Sequence, residues 1–269
     1  MTAPSELLEL AREAADQASD LLRKHLPDVS GGRLLAAGAS TKSSPTDLVT
    51  EIDRASEALI VASLLRARPS DGIEGEEGST REGSTGITWV IDPLDGTINY
   101  LYGIPAFSVS IAASVMGRAV AGVVQNPLTG ETFAAAEGKG ASLNGVELRL
   151  ETMGRPLGEA LVGTGFSYEA RIRAAQAHML PVLLPAVRDI RRAGSAALDL
   201  CAVACGRLDA HYEAGLEAWD LAAGEIIARE AGATVRVLDG LIPGWPTVVV
   251  SAPGLEDRLV ELLERAAVA

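Results

Sequence analysis

The feature that most constrains this chain is a pair of aspartates set around a proline at the end of an apolar run. Trp89–Ile91 has the composition of a buried strand, and the segment Asp92–Thr97, with the sequence DPLDGT, follows it directly. The proline forces a turn between the two carboxylates, so both can point into one small volume. Two carboxylates at such a short distance repel each other unless a cation or a proton lies between them. The segment predicts a strand that ends at a site for a hard metal ion.

The residues after the second aspartate favour an anion. Gly96 and Thr97 stand where a helix can begin, and the N–H groups of a first helical turn have no partner within the helix. Carboxylates for a metal beside amides for a phosphate indicate metal-assisted phosphoryl chemistry. Taken alone, the segment is also compatible with an ordinary surface turn, because Asp, Pro and Gly all favour turns.

Other acidic residues can complete such a site, and each also has a simpler interpretation. Glu76 in Gly75–Gly78 is either part of a solvated acidic loop or a further ligand and a base for a metal-bound water. Asp220 opens an apolar helix and suits a helix cap, yet its apolar neighbours make an unpaired carboxylate costly, which favours a metal ligand. Asp47 can be an acidic residue in the first turn of the second helix, and Asp53 can face solvent on that helix.

Composition limits the kind of protein. The 269 residues are 48% hydrophobic, enough for one α/β domain or two joined lobes. The net charge of −13 predicts that nucleic acid is not a partner. No apolar run approaches the roughly 20 residues of a membrane span, and the acidic, amphipathic N-terminal segment is unlike a signal peptide. Cys201 and Cys205 are expected to be buried free thiols, which is typical of a reducing compartment. We therefore expect a cytoplasmic protein.

Hydrophobic periodicity predicts an α+β front half and an α/β back half. The predicted helices are Ser5–Leu26, Thr46–Arg66, Arg171–Leu184, Ser195–Cys205, Trp219–Ala231 and Leu255–Ala267. The predicted strands are Thr88–Ile91, Phe107–Val115, Val120–Val124, Thr132–Ala136, Leu161–Gly163, Leu208–Glu213, Val235–Leu238 and Thr247–Val250. Tight turns between the first four strands indicate an antiparallel meander, whereas residues 31–45 suit a loop or a hairpin and residues 70–86 an exposed loop. We expect one compact unit of two lobes, 1–150 with the main metal-binding segment and 151–269 closing the active site.

Other catalytic classes lack their signatures. His25, His178 and His211 have no partner at metal-ligand spacing, so surface or packing roles are expected. No Gly-x-Ser-x-Gly segment is present, and the glycine-rich segments lack the lysine of a P-loop.

Together these segments resemble the inositol monophosphatase superfamily of magnesium-dependent, lithium-sensitive sugar phosphatases. The resemblance runs through nearly the whole chain and keeps the order of its parts. The matching segments are Lys42–Asp53, Gly75–Glu77, Asp92–Asn99, Asn126–Glu131, Gly140–Gly145 and Trp219–Gly224.

The resemblance implies a layered αβαβα sandwich, commonly a homodimer, with two or three Mg²⁺ ions per active site. The implied metal ligands are Glu76, Asp92, the carbonyl of Leu94, Asp95 and Asp220, with Asp92 bridging. Glu76 and Thr97 are implied to position the attacking water, and Asp53 to orient Thr97. The implied substrate contacts are Asp95, Gly96, Thr97, Ala196 and Glu213.

The expected reaction is hydrolysis of a phosphate monoester by in-line attack of a metal-activated water, without a phospho-enzyme intermediate. Inositol monophosphate is the expected substrate because Glu213 offers a carboxylate for ring hydroxyls. Histidinol phosphate is the nearest alternative, followed by fructose 1,6-bisphosphate and 3′-phosphoadenosine 5′-phosphate, for which Arg191 and Arg192 could meet a second phosphate. A non-catalytic scaffold that binds a partner is an alternative of a different class.

Overall fold

A computed structural model describes residues 2–26, 40–41, 48–49, 51–152 and 156–269. Its helices are α1 (Pro4–Lys24), α2 (Glu51–Ala67), α3 (Thr97–Leu101), α4 (Ala170–Leu183), α5 (Ala196–Ala204), α6 (Ala218–Glu230) and α7 (Glu256–Ala267). The strands that precede residue 150 are β1 (Ser40–Thr41), β2 (Leu48–Val49), β3 (Gly72–Gly75), β4 (Thr80–Arg81), β5 (Ile87–Asp95), β6 (Ser108–Val115), β7 (Arg118–Asn126), β8 (Glu131–Ala136), β9 (Ala141–Leu143) and β10 (Val146–Leu148). The later strands are β11 (Leu161–Thr164), β12 (Asp189–Arg191), β13 (Ala210–Ala214), β14 (Thr234–Ile242) and β15 (Trp245–Ser251).

Two large sheets contain most of these strands. The larger has the order β10-β9-β8-β7-β6-β5-β3-β4. Strands β5 to β8 form the predicted antiparallel meander, β9 and β10 extend it, and β3 runs parallel to β5. The smaller has the order β12-β11-β13-β15-β14 and is mixed, because β11 runs parallel to both of its neighbours while β15 is antiparallel to both of its own.

Helices fill three layers around the two sheets. Helices α1 and α2 cover one face of the larger sheet, α5 and α6 lie between the sheets, and α4 and α7 cover the outer face of the smaller one. Small residues allow close packing: a Cβ at Gly122 of β7 would lie 2.9 Å from the Cα of Ala223 in α6. The α+β fold with an αβαβα layering, expected from the resemblance, is therefore confirmed.

Two predictions differ from the structure most clearly, those for the start of the second helix and for the loop 70–86. The second helix begins at Glu51, whereas Leu48 and Val49 pair with Ser40 and Thr41 as strands. Within the predicted loop 70–86, β3 is mostly buried because it pairs with β5 inside the sheet. Asp47 and most of the predicted loop 31–45 lie outside the described residues.

Along the chain, β10 is the last strand of the larger sheet and β11 is the first strand of the smaller one. Because α6 packs against strands of both sheets, the division into lobes 1–150 and 151–269 stays a prediction. None of the helices in the described part of the chain combines the length and the apolar character that a bilayer span requires.

Candidate active site

A β-bulge shapes the aspartate turn. Asp92 lies opposite Ser110 and Asp95 lies opposite Ser108, so β5 carries one more residue than β6 between these pairs. A bulge of this kind bends the strand and redirects its side chains. The backbone N–H of Leu94 donates to Oδ1 of Asp92 at 3.0 Å, which holds the turn. The predicted strand therefore continues through Asp92 to Asp95, and the bulge turns the two carboxylates toward each other.

Three carboxylates converge at this turn. Asp92, Asp95 and Asp220 each offer an oxygen atom within 4.8 Å of the others. Asp220 lies in the first turn of α6, and its Oδ2 accepts a hydrogen bond from the N–H of Glu217 at 2.8 Å, so it is also a helix-capping residue. Glu76 lies close enough to Asp92 for a hydrogen bond between the two carboxyl groups.

The electrostatics of this cluster favour a cation. Burial raises the pKa of Asp92 well above its usual value, and the negative charges of Glu76 and Asp95 raise it further. Burial also raises the pKa of Asp220, as does the charge of Asp95. For Asp95 itself, burial outweighs hydrogen bonds from Ser195 and Ala197 and raises the pKa to about 7. The raised pKa values mean that the ionised form of each carboxylate lacks a compensating positive charge, which a divalent cation would supply.

The donor atoms also suit magnesium. All of them are oxygens, the ligand type that hard cations prefer. The carbonyl oxygen of Leu94 accepts the hydroxyl of Thr97 at 3.2 Å and, as a carbonyl, has a second lone pair. The residues present therefore fit the ions that the resemblance implies.

The hydroxyl of Thr97 is held by Asp53 of α2. The Thr97 Oγ1 to Asp53 Oδ1 distance is 2.9 Å, and Asp53 is only 1% exposed. The interpretation of Asp53 as a solvent-facing acid is wrong. Its spacing on α2 is compatible with either direction, and its burial and its contact with Thr97 show that it points inward.

Two further polar residues of α2 hold the site from the same helix face. Ser56 donates to the carbonyl of Pro93 at 3.0 Å. Glu57 is 2% exposed and accepts the N–H groups of Glu77 and Ser79 at 2.8 and 2.9 Å. Their positions relative to Asp53, i+3 and i+4, are those of one buried face. The sequence analysis missed both residues, although polar residues at that spacing are a detectable signal.

Asp95 connects the turn to α5. Its Oδ2 accepts the hydroxyl of Ser195, the N-cap of α5, and the N–H of Ala197. A carboxylate is favoured at this end of a helix because the helix dipole is positive there. Gly96 has φ 89°, and a Cβ on it would lie 3.0 Å from the carbonyl oxygen of Ala106, so the position requires glycine.

A cavity of about 550 Å³ opens over these residues. Six of the residues predicted for the site line it: Glu76, Asp95, Gly96, Ala196, Glu213 and Asp220. Asp92 lies beside the cavity through its contact with Asp220, and Thr97 directly follows the lining residue Gly96. Arg192 also lines the cavity, whereas Arg191 is exposed and paired with Asp189. The structure thus brings all of the residues predicted for the site into one region.

One histidine lies behind the cavity in contact with two residues that line it, which the sequence analysis missed. His211 is fully buried on β13, with Nε2 3.3 Å from Oε2 of Glu213 and Nδ1 3.8 Å from Oδ2 of Asp199. Residues two apart on a strand share a face, so the predicted strand Leu208–Glu213 already placed His211 beside Glu213. His25 and His178 are exposed, as predicted.

Known proteins match the chain over nearly its whole length. The family model described as the inositol monophosphatase family matches residues 3–267. An inositol-1-monophosphatase of Mycobacterium leprae is 45% identical over 97% of this chain and 94% of its own length. A protein of Escherichia coli named Nus factor SuhB is 39% identical over 96% of this chain and 99% of its own. The solved structure of Mycobacterium tuberculosis SuhB superimposes with a TM-score of 0.83 at 41% identity, covering 99% of this chain and 98% of that one.

These matches extend from α1 to α7 and include the sheet strands that carry the acidic cluster. The expected family and the expected class of enzyme, a phosphoric monoester hydrolase, are therefore confirmed. The chain belongs to the inositol monophosphatase family.

Proposed function

We propose that this protein is a magnesium-dependent phosphatase that hydrolyses inositol monophosphate to inositol and phosphate. The observation that carries the proposal is the convergence of Asp92, Asp95 and Asp220 beside a cavity that also contains Glu213. The acids account for a metal-dependent phosphate reaction, and Glu213 accounts for a substrate with hydroxyl groups.

The acidic cluster and the Leu94 carbonyl would hold two or three magnesium ions. Bound magnesium supplies positive charge to the phosphate oxygens and lowers the pKa of water. The chain itself holds the reacting groups in position. Thr97 donates its single hydroxyl proton toward Asp53 and Leu94, so its oxygen lone pairs are left to accept a hydrogen bond from the attacking water.

Substrate binding uses other residues of the cavity. The N–H groups of Gly96 and Thr97 open α3, where a phosphate oxygen is favoured. Glu213 accepts hydrogen bonds from hydroxyls of the ring, and Ala196 leaves space for the ring beside it. Arg192 lines the same cavity and could meet a second phosphate, so esters with two phosphates are alternative substrates.

The test is phosphate release from four esters, each with magnesium and with a chelator: inositol 1-phosphate, histidinol phosphate, fructose 1,6-bisphosphate and 3′-phosphoadenosine 5′-phosphate. We expect magnesium-dependent release with the highest kcat/KM for inositol 1-phosphate. A higher kcat/KM for another ester would overturn the substrate assignment, and release that persists in chelator would overturn the metal assignment.

A partner-binding role is the second candidate function, because the relative from Escherichia coli is named a Nus factor. Stoichiometric binding of a partner by a chain that releases no phosphate from any of the four esters would support this role. The homodimer and the cytoplasmic location stay predictions. The mass of the protein in solution, against 27.9 kDa for one chain, tests the first of them.

A further inference from the structure

The buried imidazole of His211 lies between two carboxylates behind the wall of the cavity. Its Nε2 is 3.3 Å from Glu213, on the same strand, and its Nδ1 is 3.8 Å from Asp199, on α5. Neither ring nitrogen has a hydrogen bond of good geometry with any described residue. The contacts are therefore mainly those of opposite charges held close together, with Glu213 the nearer partner.

The neighbouring strand β11 leaves space for both side chains. Gly163 lies directly beside His211 in the parallel pairing of β11 with β13, and a Cβ there would approach Nδ1 to 2.8 Å. At Gly165 a Cβ would overlap the carboxylate of Glu213. Two glycines, two residues apart, thus match two polar side chains that are also two residues apart. The imidazole and the carboxylate fit a space that a side chain at Gly163, or at Gly165 directly after the end of β11, would close.

The charges around His211 favour its protonated form. Burial lowers its pKa, but the acids Glu213, Asp199 and Asp95 outweigh burial, and the pKa is raised above its usual value. On the other side of β13, its partner in β15 is Val250, which carries no charge. An imidazolium in this place gives Glu213 a buried partner of opposite charge.

We propose that His211 is a positioning residue that holds the carboxylate of Glu213 toward the cavity, and so sets the preference of the site for phosphate esters of polyols. The inference rests on the proposed function and deepens it. A glutamate side chain has several rotamers of similar energy, and a fixed partner behind it selects one of them. Without that partner, Glu213 would bind ring hydroxyls less well, while the phosphate and metal contacts would stay as they are.

The experiment compares two substrates in the wild type and in His211→Gln and His211→Phe. Inositol 1-phosphate carries ring hydroxyls, and phenyl phosphate carries none. For each variant we expect KM for inositol 1-phosphate to rise about tenfold. This is the effect of losing one hydrogen bond between a ring hydroxyl and the charged carboxylate of Glu213. Phenyl phosphate should keep its KM and kcat within about twofold, because its binding does not use Glu213.

A Glu213→Gln background tests whether His211 acts through Glu213. In that background His211→Gln should change KM for inositol 1-phosphate by less than about twofold. The effect of replacing His211 depends on the carboxylate of Glu213, so the effects of the two substitutions on KM do not add. The pH profile is a second readout. KM for inositol 1-phosphate should rise with pH in the wild type as His211 loses its proton, and this rise should be absent in His211→Gln.

The outcomes separate this inference from the proposed function. A wild type that hydrolyses neither ester contradicts the proposed function. A wild type that hydrolyses both, with variants that lose activity equally on both, shows a purely structural role and overturns the inference. If His211→Phe does not fold, His211→Gln and the pH profile of the wild type decide the question, and a flat profile counts against the inference.

Discussion

The carboxylate of Asp95 accepts a hydrogen bond from the hydroxyl of Ser195, which lies 100 residues further along the chain, at a distance of 2.5 Å between the oxygens. The N–H of Ala197 donates to the same oxygen at 2.9 Å. This contact joins the end of β5, in the larger sheet, to the beginning of α5, between the sheets. A proposed metal ligand and the wall of the substrate cavity are therefore held by one carboxylate.

Removing the Ser195 hydroxyl should weaken metal binding. The hydrogen bond lowers the pKa of Asp95, so Ser195→Ala should raise that pKa and increase the magnesium concentration for half-maximal activity by about three- to tenfold. Loss of the N-cap should also lower the free energy of unfolding by about 1 kcal/mol. Magnesium titration of activity and urea unfolding measure the two effects. Ser251→Ala, at a buried serine of β15, is the matched control and should leave the magnesium requirement unchanged.

Replacing the central acid of the cluster should separate activity from stability. Asp92→Asn should lower kcat at least a hundredfold at saturating substrate, because the proposed metal site would lose one of its carboxylate ligands. Without metal, the variant should melt a few degrees above the wild type, since the amide is neutral at every pH whereas the buried carboxyl of Asp92 is costly to ionise. The increase in Tm on adding magnesium should shrink as well. Asp257→Asn, at an exposed ion pair with Arg236, is the control; an Asp92→Asn variant as active as this control would contradict the ligand assignment.

Stability without metal should fall as the pH rises. The pKa of Asp95 is raised by burial to about 7, and that of Asp92 is also raised. Each carboxyl binds its proton more tightly in the folded state than in the unfolded state, where the pKa is about 4. The free energy of unfolding in chelator should therefore decrease between about pH 4 and pH 7, the interval between these two values. Urea unfolding at pH 5, 6, 7 and 8 tests this, and magnesium should restore most of the loss at pH 8. Stability that increases over this range would exclude the raised pKa values.

The buried carboxylate of Glu57 should control the position of the turn that carries Glu76. Glu57→Gln keeps one acceptor oxygen but places an NH₂ group against a backbone N–H, so one of two hydrogen bonds is lost. We expect a loss of about 1–3 kcal/mol in the free energy of unfolding and a several-fold higher magnesium requirement. Glu51→Gln, at an exposed residue at the start of the same helix, is the control. Equal magnesium requirements in the two variants would show that Glu57 supports the fold alone.

Local pattern was sufficient for most elements of this fold. The strands β6 to β8 and the helices α6 and α7 lie within a few residues of their predicted bounds, because their apolar residues repeat at the periods of strand and helix. Strand β3 lies in a glycine-rich, acidic segment whose composition indicates a loop. It becomes a strand through pairing with β5, and a pattern within the segment carries no information about that partner.

The acids of the site divide in the same way. Glu76, Asp92, Asp95 and Asp220 stand in short motifs that each allow a simpler interpretation, and only the combination of the motifs, in their order along the chain, indicated the chemistry. The supporting contacts were not predictable from the chain: Asp95 with Ser195, Glu57 with Glu77, and His211 with Asp199 each join separate elements. Whether a polar side chain is a surface residue or a buried support depends on the partner that the fold places against it. That partner is decided by the packing of α2, α5 and the two sheets, which no local stretch of residues encodes.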